Sequence, residues 1–180
     1  MRRSALIVGV IACVLAFGVV PSAQAAPPVE RFHDTGTDTD DNFCGTGEVV
    51  TITFDVRGTV HADDGLDVFV TAHGTQTFTA ESTGQSVILH FAQRFVSHGV
   101  ENSDGTVSFT DTVTGLPEQF RTPNGGVITL DAGMITFEGT LDANGEFVEQ
   151  HIVVVHGPHP QAESDFELFC QLIPEALGIG

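Results

Sequence analysis

The stretch VTITFDVRGTV, residues 50–60, alternates apolar and polar side chains with a period of two. Its apolar positions are Ile52, Phe54, Val56 and Val60, and its polar positions are Thr51, Thr53, Asp55 and Arg57. Successive side chains of a β-strand point to opposite faces, so this pattern predicts a strand with one buried and one solvated face.

The same alternation runs through most of the chain and predicts further strands. They fall near residues 66–73, 75–81, 85–98, 105–113, 117–122, 126–131, 134–141 and 146–156. Short turn signals separate many of them, namely Asp64-Gly65, Thr83-Gly84, Asp104-Gly105, Asn124-Gly125-Gly126 and Asn144-Gly145. Such short connections join antiparallel neighbours, so the segments predict hairpin after hairpin, which is a meander.

A long meander removes its exposed edges most simply by closing on itself. We therefore predict an all-β fold, an up-and-down antiparallel β-barrel of about eight strands with a short C-terminal helix. A β-sandwich is the alternative, although a Greek-key sandwich needs longer crossovers than these turns provide. The barrel domain is expected over residues 48–180, after a signal peptide (1–25) and an extended acidic lead-in (26–47).

The C-terminal helix is indicated by a capping box, Ser164-Asp165-Phe166-Glu167. Apolar residues then follow at helical spacing, with Phe169, Cys170 and Ile173 on the face of Phe166, and Pro174 is expected to end the helix. The strand around residues 152–155 is apolar on both faces. We expect the helix to cover its second face.

The N-terminus, MRRSALIVGVIACVLAFGVVPSAQAAPP (1–28), has the pattern of a secretory signal peptide. Two arginines precede an apolar run, and Ala23-Gln24-Ala25 forms a small-residue cleavage site, so secretion with cleavage after Ala25 is expected. An uncleaved anchor is an alternative, but Pro21 closes a short apolar run. A second alternative is a lipoprotein acylated at Cys13, within Val10-Ile11-Ala12-Cys13.

The chain is strongly acidic, with 24 Asp and Glu against 6 Lys and Arg, a net charge of −18. Cleavage would remove Arg2 and Arg3 and bring the net charge to −20. Such a surface repels phosphate backbones and anionic lipid headgroups. We therefore expect no nucleic-acid partner and no membrane association after cleavage.

Cleavage would leave two of the three cysteines, Cys44 and Cys170. An even pair in an exported chain predicts a disulfide. This bond would fasten the two ends of the fold together.

Motifs that signal a metal site or a common enzyme are weak in this sequence. In HIVVVHGPHP (151–160), His151 and His156 are an odd number of residues apart, so on a regular strand they face opposite ways and share a metal only across a bulge. In the lead-in, DTGTDTDDN (34–42) resembles a calcium loop, but Phe43 stands where glycine is needed. We predict no metal and no cofactor.

No nucleophile elbow, phosphate loop or Cys-x-x-Cys motif occurs, and Trp and Tyr are absent. The missing rings count against carbohydrate recognition.

Two groups of residues are candidates for a binding site. Asp111 interrupts an apolar row formed by Val107, Phe109 and Val113, and if it points inward it needs a partner, for which Arg57, Arg94 and Arg121 are available. The other group is His90, Arg94 and His98, on one face of the strand at 85–98. These three residues form either a polar outer stripe or the lining of a polar pocket.

The segments GTVHADDG (58–65), GLPEQFRTPNGG (115–126) and HGPHP…ESDFELFC (156–170) resemble a group of uncharacterised small secreted proteins of high-GC Gram-positive bacteria. The resemblance implies export and no particular activity. The barrel pattern is similar to lipocalin-like proteins at the level of fold alone.

The function favoured by the sequence is that of a non-catalytic secreted barrel, which binds a small apolar molecule in its lumen or acts through its surface. One alternative is a barrel-type cyclase or isomerase that uses Asp111 and an arginine. Another is a structural protein of the cell envelope.

Overall fold

The computed structural model describes residues 29–63, 66–164 and 167–180. The expected signal peptide, the cleavage site after Ala25 and the alternative site at Cys13 lie outside these ranges, as do the Asp64-Gly65 turn and two residues of the predicted capping box, Asp165 and Phe166.

Seven long strands form one antiparallel sheet, in which each strand pairs with its neighbours in sequence. The strands are β1 (Glu30–Asp40), β2 (Val50–Asp63), β3 (Asp67–Ala80), β4 (Ser86–Glu101), β5 (Val107–Arg121), β6 (Val127–Leu141) and β7 (Phe147–His156). This order confirms the predicted all-β meander. The sheet is not closed, because β1 and β7 are both edges, so the barrel stays a prediction.

The strands are fewer and longer than the sequence pattern predicted. The segments 66–73 and 75–81 are one strand, β3, and two further predicted pairs merge into β5 and β6. Residues 30–40, assigned to the acidic lead-in, form β1 and pair with β2 along their whole length. These residues therefore belong to the sheet, and the expectation of a lead-in that precedes the β-sheet domain is wrong for them.

One face of the sheet is apolar, and phenylalanine rings lie over glycines on it. Cross-strand register places Gly36 opposite Phe54, Gly58 opposite Phe32, Gly74 opposite Phe91 and Gly139 opposite Phe109. A side chain added at any of these four glycines would meet the facing ring. Aromatic rings over glycines cover exposed backbone and help to fix the register of the strands.

The aromatic centre of the core lies at one end of the apolar face, where the connection between β1 and β2 and the C-terminal helices lie against the sheet. A 3-10 turn (Phe43–Gly45) follows β1, and two short helices, α1 (Pro160–Glu163) and α2 (Leu168–Ala176), follow β7. The ring of Phe169 on α2 lies 5.6 Å from Phe43, 5.9 Å from Phe78 and 5.4 Å from Phe120, measured between centroids. The predicted disulfide joins Cys44 to Cys170, immediately beside this aromatic cluster.

The position of α2 differs from the prediction in two respects. The helix continues through Pro174 to Ala176, and it packs against β4 and the 3-10 turn instead of against β7. The helix therefore does not cover β7, and Val153 and Val155 of this strand are exposed. Neither described helix is long and apolar enough to cross a membrane, nor is any other helical segment among the described residues.

A line of irregular pairing crosses the middle of the sheet. The register shifts between His90 and Ala92 on β4 and between Gly115 and Glu118 on β5. Gly115 has φ 112° and pairs with Gly133, which has φ 122°, and a side chain at either would collide with a backbone carbonyl of the neighbouring strand. β-Bulges of this kind bend a sheet and re-aim the side chains that follow them.

Loss of the disulfide should destabilise the fold strongly, because it closes a loop with a sequence separation of 126 residues. We expect the double variant Cys44→Ser/Cys170→Ser to lose about 4–5 kcal/mol of unfolding free energy in the chain-entropy account. Urea denaturation of the purified protein measures this loss, and the reduced wild-type protein is the control that should match the variant. Equal midpoints for oxidised and reduced wild-type protein would contradict a stabilising bond.

Candidate functional site

The predicted site residues lie on opposite faces of the sheet. His90, Arg94 and His98 alternate with the buried Leu89 and Phe91 on β4, which places all three on the polar face. Asp111 pairs with Ser97 in register and shares the apolar face with Phe109. The structure therefore brings the first three residues to one face and separates Asp111 from them.

The polar face collects seven of the eight histidines. Strand alternation and register place them there, on five strands: His33, His61, His73, His90, His98, His151 and His156. The pairing of β6 with β7 shifts at Val153, and this extra residue returns His156 to the face of His151. The strand therefore contains a bulge between His151 and His156, which the sequence analysis gave as the condition for the two rings to share a face.

A shallow groove of about 340 Å³ lies on this face where β4, β5, β6 and β7 run side by side. The register sets His98, Thr110, Glu138 and His151 in one line across the four strands. The neighbouring line adds Ser108, Thr140 and Glu149. The groove is open to solvent, and its lining contains no lysine or arginine.

The electrostatics of the groove favour ligands that donate hydrogen bonds. His98 Nδ1 lies 3.1 Å from a carboxylate oxygen of Asp67. If Nδ1 donates to Asp67, then Nε2 of the neutral ring is an acceptor. Together with the carboxylates of Glu138 and Glu149, it makes this an acceptor-rich site.

A second depression of about 230 Å³ lies on the same face, nearer β1. Its lining includes Asp55, Arg57 and His73. The Asp55 carboxylate lies 3.1 Å from His33 Nε2 and 3.3 Å from Arg57 Nε. This carboxylate is therefore already paired with neighbouring side chains. This depression therefore offers less free charge to a ligand than the groove at His98.

Arg94 is held away from both depressions. Its guanidinium carbon lies 4.4 Å from the centroid of the Phe69 ring, within the distance of a cation–π contact. Among the predicted binding residues, only His98 lines the groove.

Two acids face each other on the apolar side, directly after the β5 bulge. Glu118 pairs with Asp131 in register, beneath α1. Burial, with a smaller contribution from the charge of Asp131, raises the pKa of Glu118 from 4.5 to about 7. Burial also raises the pKa of Asp131, although a hydrogen bond from the backbone N–H of Gln161 and the nearby His159 partly oppose this shift.

The residues above this acid pair are also buried and polar. His159 and Gln161 are each only 2% exposed. His159 Nε2 lies 3.2 Å from the carbonyl oxygen of His156, and Gln161 Oε1 accepts a hydrogen bond from the backbone N–H of Phe169. These contacts hold α1 and α2 over the acids and give the cluster a structural role.

Asp111 does not have the arginine partner that its inward position was expected to require. Arg57, Arg94 and Arg121 all lie on the polar face. Burial raises the pKa of Asp111, and a hydrogen bond from Ser97 offsets this only partly. An ion pair with an arginine would instead lower this pKa.

Metal binding finds no support in the described residues. Within them, no group of three or more His, Cys, Asp or Glu side chains is placed to hold an ion. His156 and His159 meet through the backbone carbonyl of His156 and not through two ring nitrogens directed at one point.

Sequence reasoning missed the acid pair and most of the groove. Glu118 follows Leu116-Pro117, and the bulge there changes which residues of β5 face inward. Asp131 carried a signal, because it is an acid in the alternating stretch VITLDAGMITF (127–137), as Asp111 is in its own stretch.

No protein-family model, no curated protein and no solved structure matches this chain. We therefore infer the function from the geometry of this chain's own residues.

Ionisation of Glu118 should make the fold less stable as the pH rises. An acid with a raised folded pKa favours the folded state fully below its ordinary value of 4.5, and this contribution is lost as the pH rises through about 7. The loss corresponds to about 3 kcal/mol. We expect Glu118→Gln to reduce the fall in unfolding free energy between pH 5 and pH 8, as measured by urea denaturation.

The control for removing a negative charge is Glu101→Gln, at an exposed position of β4. This variant should keep the pH dependence of the wild-type protein. An unchanged pH dependence in Glu118→Gln would show that Glu118 is solvated.

Asp111→Asn should stabilise the protein above neutral pH, because it removes a carboxylate whose charged form is disfavoured by burial. Chemical denaturation at pH 8 and at pH 4 separates the charge effect, which is expected only at the higher pH, from any change in packing. A loss of stability at pH 8 would instead indicate that a cation pairs with Asp111.

Proposed function

We propose that this chain is an exported, non-catalytic binding protein and that the groove at His98 binds a small organic cation. The observation that carries the proposal is the lining of the groove, which combines two carboxylates, two histidines and several hydroxyls with no lysine or arginine. Such a site offers many acceptors and negative charge, which match the N–H groups of an ammonium ion.

Export is supported by two features. The first 25 residues have the pattern of a cleavable signal peptide. The bond between Cys44 and Cys170 is of the kind that persists in oxidising compartments.

A non-catalytic role is supported by the positions of the three acids whose pKa values are raised by burial. A general acid or base must come within hydrogen-bond reach of its substrate. Glu118 and Asp131 lie beneath α1 on the apolar side, whereas both described depressions lie on the polar face. The cyclase or isomerase alternative required Asp111 beside an arginine, and the register places Asp111 and Arg94 on different faces.

We propose a ligand site on the polar face because the described sheet is open and encloses no lumen. The expectation of a small apolar ligand depended on the enclosed lumen of a barrel, and the described sheet is not closed. The net charge of −18 also raises the local concentration of cations and repels anions. The net charge of the whole chain and the carboxylates of the groove both favour a cationic ligand.

Putrescine, a four-carbon diamine, is the probe for this proposal. We expect it to shift the backbone amide resonances of Thr110, Glu138 and His151 in a nuclear magnetic resonance titration, because these residues form the central line of the groove. Butanediol has the same chain length without the charges and should leave the resonances in place.

The double variant Glu138→Gln/Glu149→Gln should weaken putrescine binding by at least about tenfold, equivalent to 1.4 kcal/mol. Glu101→Gln removes an exposed acid outside the groove and should bind as the wild-type protein does. Equal weakening in both variants would reduce the effect to net charge, and the absence of any shift would favour the structural envelope role.

A further inference from the structure

The two edges of the sheet differ in chemistry. Among the described residues, β7 pairs only with β6, so its other side leaves backbone N–H and C=O groups without a strand partner there. Large hydrophobic side chains are exposed along it: Phe147, Val148, Val153 and Val155. A long edge with exposed apolar residues is a site at which another strand can pair.

The other edge, β1, carries the usual protection against such pairing. Its sequence ERFHDTGTDTD contains Glu30, Asp34, Asp38 and Asp40. A row of negative charges along an edge repels a strand of a second acidic chain. Edge-to-edge association is therefore directed to β7.

We propose that β7 pairs antiparallel with β7 of a second copy of this chain, about a twofold axis at Gln150, so that the two sheets become one. Residues directly opposite in an antiparallel pair lie on the same face, which limits the possible registers. A register centred on Gln150 sets Glu149 opposite His151 of the second copy, and the symmetry creates this pair twice.

The neighbouring registers lack this complementarity. Centring the pair on Glu149 sets that carboxylate against its own copy. Centring it on His151 sets the two His151 rings against each other and Glu149 against Val153. Two carboxylates directly opposite destabilise a strand pair, whereas an imidazole N–H opposite a carboxylate can donate a hydrogen bond to it, so Gln150 is the favoured centre.

The same register buries apolar side chains on both sides of the charged centre. Val148 lies opposite Ile152 of the second copy, and Phe147 lies near Val153. Bulges toward β6 at Val148 and Val153 leave a regular stretch from Glu149 to Ile152, which fixes the length of the central pairing. Because both β7 edges are used and both β1 edges are acidic, the assembly closes as a dimer and does not extend into a fibre.

This association goes beyond the binding function and stands without it, although the two surfaces adjoin. Glu149 and His151 line the groove as well as the edge. The second copy would bring its own Glu149 and His151 beside them, so the two grooves would become neighbours across the axis.

Sedimentation equilibrium of the exported protein tests the proposal over a range of protein and salt concentrations. The net charge, −18 for the full sequence and −20 after cleavage, makes the copies repel at long range, whereas the screening length is about 8 Å at 0.15 M salt. We expect a monomer–dimer equilibrium that shifts toward the dimer as salt rises from low to physiological concentration. A chain that stays monomeric at millimolar concentration and physiological salt would overturn the proposal.

Charge exchange tests the register. His151→Glu should weaken the dimer at least tenfold, because Glu149 of the second copy then meets a like charge. The double variant Glu149→His/His151→Glu should restore it, since a carboxylate again faces an imidazole. Both variants change the contact with Glu138 on β6 in the same way, so a difference between them reports the contact between copies. Failure of the double variant to restore the dimer would exclude this register.

Cross-linking gives a second readout of the same geometry. Gln150→Cys places two thiols opposite each other on the twofold axis and should give a covalent dimer under mild oxidation, within the Cα separation that disulfides require. Thr37→Cys, at an exposed position of β1, is the matched control and should stay monomeric. Cross-linking through Thr37→Cys alone would place the interface at the other edge and overturn the proposal.

Discussion

The aromatic cluster beside the Cys44–Cys170 disulfide is the contact on which the rest of the fold depends. A single antiparallel sheet has no second sheet to cover its apolar face, so the connection between β1 and β2 and the C-terminal segment cover part of it. Phe43 and Phe169 each adjoin one half of the disulfide, and their rings lie 5.6 Å apart. The covalent bond and the ring contact thus hold the same two segments against Phe78. Away from this end, the apolar face is covered chiefly by its own phenylalanine rings lying over glycines.

Alternation in the sequence was enough to predict the strands, their antiparallel order and the disulfide, because each depends on local pattern or compartment. It was not enough to give the strand ends. Gly74 and Gly115 look like turn residues, yet each lies inside a strand, where a neighbouring backbone or ring leaves no room for a side chain. Closure of the sheet and the place where α2 docks depend on long-range packing, and no local pattern encodes them.

Only part of the candidate site could be predicted, because the rest depends on contacts between distant strands. Strand alternation placed His90, Arg94 and His98 on one face, and the register then combined His98 with residues of three other strands. Which residues stand in one line across four strands depends on every turn and bulge between them. The acid pair required one bulge more, since the shift between Gly115 and Glu118 decides that Glu118 faces Asp131.

Acidic side chains are buried at three positions on the apolar face and exposed in the groove on the polar face, and their charge affects the fold differently in the two places. On the apolar face, burial raises the pKa values of Asp111, Glu118 and Asp131, so these groups favour the folded state when protonated and oppose it when charged. On the polar face, the groove carboxylates Glu138 and Glu149 are exposed. Their charge is therefore available for recognition at little cost to the fold, whereas charge on the three buried acids lowers its stability. Since α1 lies over Glu118 and Asp131, the stability lost on their ionisation is expected first at the C-terminal segment and not at the groove.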